Sequence, residues 1–294
     1  MTVYPNVKLN LGLRVLGKRP DGFHALETLF IPCDAFRDEL SIEPAADFDI
    51  SIGGPAYKGW DPAGDLTARA WNLLHEEFGI GPVKIRLVKN SPVGAGLGGG
   101  SADGAFALRA LNDIFGLGLS DEALADFAAR LGSDCPFFIY NRPMFASGRG
   151  EVLEEFDVDL SAYRIELAIP EGVAVSTREA YAGLDESSAQ GEGVPSERHA
   201  TLGNVRGRGP AARLGGMSGG AANRVGGDTL PLRALLHLPV PEWKGVLTND
   251  FELSVFPKHP EIAALKAEFY AKGATYAAMT GSGSAVFALF PLNR

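Results

Sequence analysis

The chain has 294 residues, 46% of them hydrophobic, so it can bury the core of one large or two modest domains and is not globally disordered. Its formal net charge of −9 excludes a broad basic face for nucleic acid, though it leaves room for a locally positive site that takes a small anion. The 2 cysteines, Cys33 and Cys135, are too few for a disulfide framework, and no apolar run reaches the ~18 residues that span a bilayer.

The opening MTVYPNVKLNLGLRV has no basic region followed by a long apolar stretch, so no signal peptide and a cytoplasmic protein are expected. Residues 7–16 alternate and predict a strand, with Lys8, Asn10 and Gly12 on one face and Val7, Leu9, Leu11 and Leu13 on the other. KRPDG predicts a turn, residues 23–33 resume an extended pattern, and 38–43 and 48–52 read as short strands. These opening strands are expected to pair antiparallel. Leu66, Ala70, Leu73, Leu74 and Phe78 share a helical spacing over residues 65–78, and residues 83–88 predict a strand.

Next comes PVGAGLGGGSADGAFALRALN, a glycine stretch running into a helical pattern. Residues 120–131 predict a helix with Ser120 as N-cap and Asp121 and Glu122 in its first turn. Residues 132–140 read as a turn into an apolar segment, and 145–147 precede a glycine turn at 148–150. A strand at 163–170 and a short helix at 176–181 follow. Residues 186–227 then hold 11 glycines, 5 arginines and no aromatic residue, which predicts a flexible loop or disordered insertion. Structure is expected again from Leu230, with a helix at 260–272 capped by Gly273 and a strand, glycine turn and strand over 274–290.

The glycine stretch carries the chemistry. Gly94, Gly96, Gly98, Gly99 and Gly100 let backbone approach a ligand closely, and the helix that follows offers unpaired N–H groups and a positive dipole end. Together they predict a phosphate site, completed by Pro92, Val93, Ala95, Leu97, Ser101 and Ala102. Gly94, Gly96 and Gly99 also fit a dinucleotide fingerprint, but KNSP separates them from the strand. Residues 94–101 fit most of a G-x-x-x-x-G-K-[ST] loop, with Gly100 where the lysine belongs, so any cation must come from elsewhere. Ser101 is the expected helix N-cap, and its hydroxyl could instead ligate Mg2+. Asp103 reads as a partner for the helix dipole. Of the flanking Lys84, Lys89 and Asn90, Lys89 suits the nucleotide side best, against a plain surface charge.

PVGAGLGGGSADGA resembles motif 2 of the GHMP kinase superfamily (galactokinase, homoserine, mevalonate and phosphomevalonate kinases), P-x-x-x-G-L-G-S/G-S-A/S. PNVKLNLGLRVLGKRPDGFHALETLF resembles the N-terminal motif of the branch that phosphorylates a cytidine-diphosphate-linked methylerythritol in non-mevalonate isoprenoid synthesis, and GATYAAMTGSGSAVFALF resembles motif 3, a glycine turn beside the phosphate loop. The similarity is dense over 1–181 and 230–290 and fails over about 186–227. It implies an α+β, two-domain GHMP kinase fold: an ATP-binding domain over 1–152 like domain 2 of ribosomal protein S5, and a ferredoxin-like α/β sandwich over 153–294 carrying the insertion. ATP as co-substrate, Mg2+, transfer to the 2-hydroxyl of the methylerythritol, and a monomer or homodimer without nucleic-acid or membrane partners are implied with it. Many relatives continue past motif 3 with a further helix.

By the same resemblance, Asp134 in LGSDCPFF matches the catalytic aspartate, which otherwise reads as a turn cap, and Lys8 matches the lysine that steadies it. Asn10, one pleat along, is expected to hold the substrate diol. His24 matches the histidine that recognises cytosine. Phe23 is expected to stack on one face of that ring and Tyr181 on the other, with Thr177 nearby. Cys135 reads as packing, and residues 186–227 as inert disorder or a segment that closes over substrate. A mevalonate or homoserine kinase, a non-catalytic nucleotide binder on the same fold and a dinucleotide oxidoreductase are the competing readings.

Overall fold

The computed structural model of the chain describes residues 1–189 and 230–292. Short extended runs open it: β1 (Thr2–Val3), β2 (Asn6–Lys18), β3 (His24–Arg37), β4 (Glu39–Pro44) and β5 (Asp49–Gly53). Helices and strands then mix: α1 (Leu66–Phe78), β6 (Val83–Val88), α2 (Gly99–Phe115), α3 (Asp121–Leu131), α4 (Cys135–Tyr140), β7 (Met144–Ser147), β8 (Val152–Glu155) and β9 (Tyr163–Ala168). α5 (Thr177–Ala189), α6 (Leu232–Leu236), α7 (Phe251–Val255), α8 (Pro260–Ala271), β10 (Tyr276–Met279) and β11 (Val286–Pro291) follow. The helix expected at 176–181 therefore runs on to Ala189, into the start of the glycine- and arginine-rich segment; the rest of that segment lies outside the described residues.

Among the described residues three sheets form, with strand orders β1-β4-β6-β5, β2-β3-β7-β8 and β10-β11-β9. The β2–β3 ribbon is antiparallel, as expected, and register shifts at three places coil it. Gly12 lies at one of them with φ +65°, and a Cβ there would come within 2.6 Å of Leu247 Cδ1, so the strand runs hard against the C-terminal segments. β5 departs from the antiparallel expectation. It pairs with β6 in parallel, and α1 between them supplies the crossover that parallel pairing requires.

The core divides along these layers. α1, α2 and the short α4 pack their apolar stripes on Leu40, Ile42, Val83, Ile85 and Leu87 of the first sheet. Val7, Leu9 and Leu11 of β2 turn the other way, onto Tyr276, Ala278, Phe287 and Leu289 of the third sheet. β2 is thus buried on both faces, which leaves Lys8 and Asn10 on an interior polar face and not on a solvated edge. The opposite side of the third sheet is covered by α5, α7 and α8 through Ala180, Leu184, Phe251, Ile262 and Phe269.

Local signals hold where they are strong. Ser120 caps α3, its hydroxyl accepting from Ala123 N–H. Gly273 closes α8 with φ +94°. α2 corrects the expectation for Ser101: the helix starts at Gly99 with Gly98 as its cap, φ +71°, so Ser101 already lies inside the first turn. Gly98 reverses the chain in a left-handed conformation that serine would resist, and it moves the boundary upstream.

Candidate active site

The glycine stretch spans the gap between β6 and α2. Gly94, Gly96 and Gly98 take φ +76°, +78° and +71°. Ala95 and Leu97 bury their side chains, while Val93, Gly94 and Gly100 face out; Pro92 is half-buried and Ala102 buried. Two distant segments hold the loop. Lys8 N–H of β2 donates to Leu97 O at 2.9 Å, and Ala285 N–H donates to Ala95 O at 3.3 Å. A Cβ on Gly96 would lie 2.3 Å from Thr280 O, so the 280–285 turn touches the loop backbone directly. The outward face and the free N–H groups opening α2 form a cradle for an anion.

Lys8 and Asp134 meet beside that cradle. Asp134 stands just before α4, and its Oδ2 lies 3.7 Å from Lys8 Nζ. Asp134 is about one-third exposed (34%) while Lys8 is buried (4%), so the carboxylate reaches solvent and the ammonium backs it. Burial pushes the Lys8 ammonium below the usual lysine range, and the Asp134 charge partly offsets that. Lys8 Nζ also donates to Asn10 Oδ1 at 2.6 Å.

Asn10 lies buried beside Lys8. It is 2% exposed, its Oδ1 accepts from Lys8 and from Thr280 Oγ1, and its Nδ2 donates to Thr28 Oγ1. Thr28 Oγ1 donates onward to Gly12 O at 2.6 Å. Held by these partners, Asn10 orients Lys8. Thr28 went unnoticed in the sequence because a lone threonine in an apolar strand carries no motif, and Thr280, inside the glycine-turn motif, carries no sign there of its bond to Asn10.

The His24 and Tyr181 rings stack at 4.5 Å with 16° between their planes, and Phe251 meets Tyr181 edge-on at 4.8 Å. Burial raises the Tyr181 phenol above its usual range, and the Asp134 charge adds to the shift. Phe23 is more than half exposed, and the Arg149 guanidinium lies 5.0 Å from its ring centroid. Thr177, at the start of α5, contacts Ser282 Oγ through Oγ1 at 3.2 Å. Of the five expected substrate contacts, His24 and Tyr181 are brought together as a stacked pair, while Asn10 is buried beside Lys8.

Lys89 is also placed differently. It is 2% exposed, and Nζ donates to Asp38 Oδ2, to Ser91 Oγ at 2.9 Å and to Asp103 Oδ2 at 2.6 Å. It lies under the loop with its donors taken, because two buried carboxylates draw the ammonium inward. Asp103 is correspondingly an ion-pair partner, beyond the dipole role expected for it. Ser101 is partly exposed on the first turn of α2. Burial pushes the Cys135 thiol up to about 12, which suits packing and no nucleophilic role.

Residues 65–142 match the family described as GHMP kinases N terminal domain, and residues 233–294 match GHMP kinases C terminal. The chain is 41% identical over 293 residues to 4-diphosphocytidyl-2-C-methyl-D-erythritol kinase of Bacteroides fragilis (strain YCH46), covering 99% of this chain and 92% of that one. It is 40% identical over 291 residues to the kinase of the same name from Cytophaga hutchinsonii, covering 99% and 92%. A crystal structure of 4-(cytidine 5'-diphospho)-2C-methyl-D-erythritol kinase matches with TM-score 0.70 and 30% identity over 98% of this chain and 90% of that one. Methanococcus jannaschii mevalonate kinase matches with TM-score 0.62 at 11% identity, over 99% and 90%, a likeness of fold alone.

Proposed function

The chain belongs to the GHMP kinase family, and we propose from that premise that it transfers the γ-phosphoryl group of ATP to the 2-hydroxyl of 4-diphosphocytidyl-2-C-methyl-D-erythritol, a step in non-mevalonate isoprenoid precursor synthesis. One observation carries the reaction: the buried Lys8 touches the phosphate loop through its backbone and Asp134 through its ammonium. The full-length similarity to kinases of that name supports the substrate.

In this reading the loop from Pro92 to Ala102 receives the ATP phosphates on its backbone N–H groups. Asp134 orients the acceptor hydroxyl and takes its proton as the new O–P bond forms and the bond from γ-phosphorus to the ADP oxygen breaks. Lys8 stays charged beside both groups and balances the negative charge that moves between them. His24 and Tyr181, with Phe23 at the rim, select the cytidine end. Mg2+ would neutralise phosphate charge. The Ser101 hydroxyl, partly exposed on the first turn of α2, would be its protein ligand beside the phosphate oxygens.

Coupled ADP release tests the proposal, with 4-diphosphocytidyl-2-C-methyl-D-erythritol set against mevalonate and homoserine. Turnover is expected with the first compound alone. Turnover confined to either of the others would replace this reading.

A further inference from the structure

We infer that Lys89, Asp38 and Asp103 form a buried charge clamp that holds the two ends of the phosphate loop in the geometry that takes ATP, so that Asp103 is a positioning residue for nucleotide binding. The inference rests on the ATP-binding part of the function proposed above and deepens it.

The loop enters from β6 through residues 89–92 and leaves into α2. Asp38, at the corner between β3 and β4, grips the entry: Oδ1 accepts from Asn90 N–H at 2.6 Å and from Ser91 N–H at 2.7 Å, and Oδ2 accepts from Ser91 Oγ at 2.5 Å. Asp103, one turn inside α2, grips the exit, and the Lys89 ammonium joins the two carboxylates. Asp38, Lys89 and Asp103 are each at most 2% exposed. The start of α2 is moulded to this group, since a Cβ on Gly99 would lie 2.3 Å from Ser91 Oγ and 3.5 Å from Lys89 Nζ.

Such a cluster is a poor way to gain stability alone, because desolvating three charged groups offsets most of their attraction. Its value lies in fixing a glycine-rich segment that would otherwise lose much conformational freedom on closing around a nucleotide. Asp103 Oδ1 is buried and has no hydrogen-bond partner among the described residues, so half of this carboxylate is held at a cost and only Oδ2 works in the clamp. Burial and the neighbouring Asp38 raise Asp103 well above the usual carboxylate range, whereas Asp38 is lowered because Lys89 and the Ser91 donors outweigh its burial. The two acids are therefore unequal. Asp38 and Lys89 make a balanced pair that survives the loss of Asp103.

That inequality fixes the experiment. Lys89→Met would strand two buried carboxylates, so the decisive variants are Asp103→Ala, which frees the exit and leaves the Asp38–Lys89 pair, and Asp103→Asn, whose amide oxygen can still accept from Lys89. Calorimetric titration of MgATP should show Kd raised at least tenfold in Asp103→Ala and within threefold of the parent in Asp103→Asn. The affinity of Asp103→Ala for the cytidine substrate should stay within twofold of the parent. A lowered melting temperature with ATP Kd within twofold of the parent would make the cluster merely structural, and an equal loss for both ligands would remove its link to the loop; either result overturns the clamp. A parent protein that binds MgATP but phosphorylates no methylerythritol compound would instead count against the proposed substrate, and the ATP titrations would still decide the clamp.

Discussion

Asn10 and Thr280, 270 residues apart, hold each other twice: Asn10 N–H donates to Thr280 Oγ1 at 3.0 Å, and Thr280 Oγ1 donates to Asn10 Oδ1 at 3.1 Å. The same Asn10 oxygen receives Lys8 Nζ. A residue of the C-terminal glycine turn therefore sets the position of the lysine beside Asp134.

Thr280→Val keeps the shape and removes both bonds. We expect kcat to fall tenfold or more while the KM for ATP stays within twofold, since the loop contact runs through the Thr280 carbonyl and not its hydroxyl. The stranded Asn10 N–H should cost about 1–3 kcal/mol of stability. Steady-state kinetics paired with denaturant unfolding separates the two effects.

Asp134→Asn removes the proton acceptor without changing volume. Turnover should fall by about 10²- to 10⁴-fold, the range for a lost general base. ATP should bind with unchanged affinity, since no loop contact depends on Asp134. A variant turning over near the parent rate would take Asp134 out of the proposed mechanism.

Tyr181→Ala removes the ring on which His24 stacks and which Phe251 supports from its edge. The KM for the cytidine substrate should rise at least tenfold, with the KM for ATP unchanged. Loss of the two ring contacts should lower stability by about 1–3 kcal/mol. Kinetics with each substrate varied in turn checks the split, and equal changes in both KM values would argue against a cytidine role.

Gly96→Ala places a methyl group 2.3 Å from Thr280 O at φ +78°. The left-handed backbone alone costs about 1–2 kcal/mol, and the clash adds to it. ATP affinity should drop with the melting temperature. Gly100→Ala is the internal control: it lies in α2 with open space around its Cβ, and stability should be equal to the parent or up to about 1 kcal/mol higher. Thermal melts of the two variants side by side make the comparison.

Asp250 gives a pH test. Its Oδ2 accepts from Val15 N–H at 2.8 Å, and burial raises its carboxyl to about 6. A folded pKa above the unfolded value means that the protonated form is favoured in the fold. This contribution is full below about pH 4 and is lost as pH rises through about 6. Asp250→Asn keeps an acceptor for Val15 and carries no charge at any pH. Unfolding free energies measured from pH 4 to 8 should fall less steeply with pH across that window in the variant, a relative gain of about 1–3 kcal/mol at neutral pH. Parallel pH profiles would remove Asp250 as the titrating group.

The sequence by itself determined the pieces whose chemistry is local. A glycine stretch ahead of a helical pattern points to an anion cradle, because glycine takes the left-handed turns seen at Gly94, Gly96 and Gly98 at no steric cost. Ser120 and Gly273 mark helix ends through bonds made within a few residues. The motifs around Lys8, His24, Asp134 and Thr280 were legible as family resemblance. Tertiary structure alone decided how residues far apart share one another's donors. Lys89 is indistinguishable in sequence from a surface lysine, and only the arrival of Asp38 and Asp103 from other elements turns it inward. Nothing in the sequence marks the bonds that tie Asn10 to Thr28 and Thr280. A hydrogen bond between strands leaves no periodic trace along either, and a polar side chain binds a ligand only where the fold leaves its donors unspent.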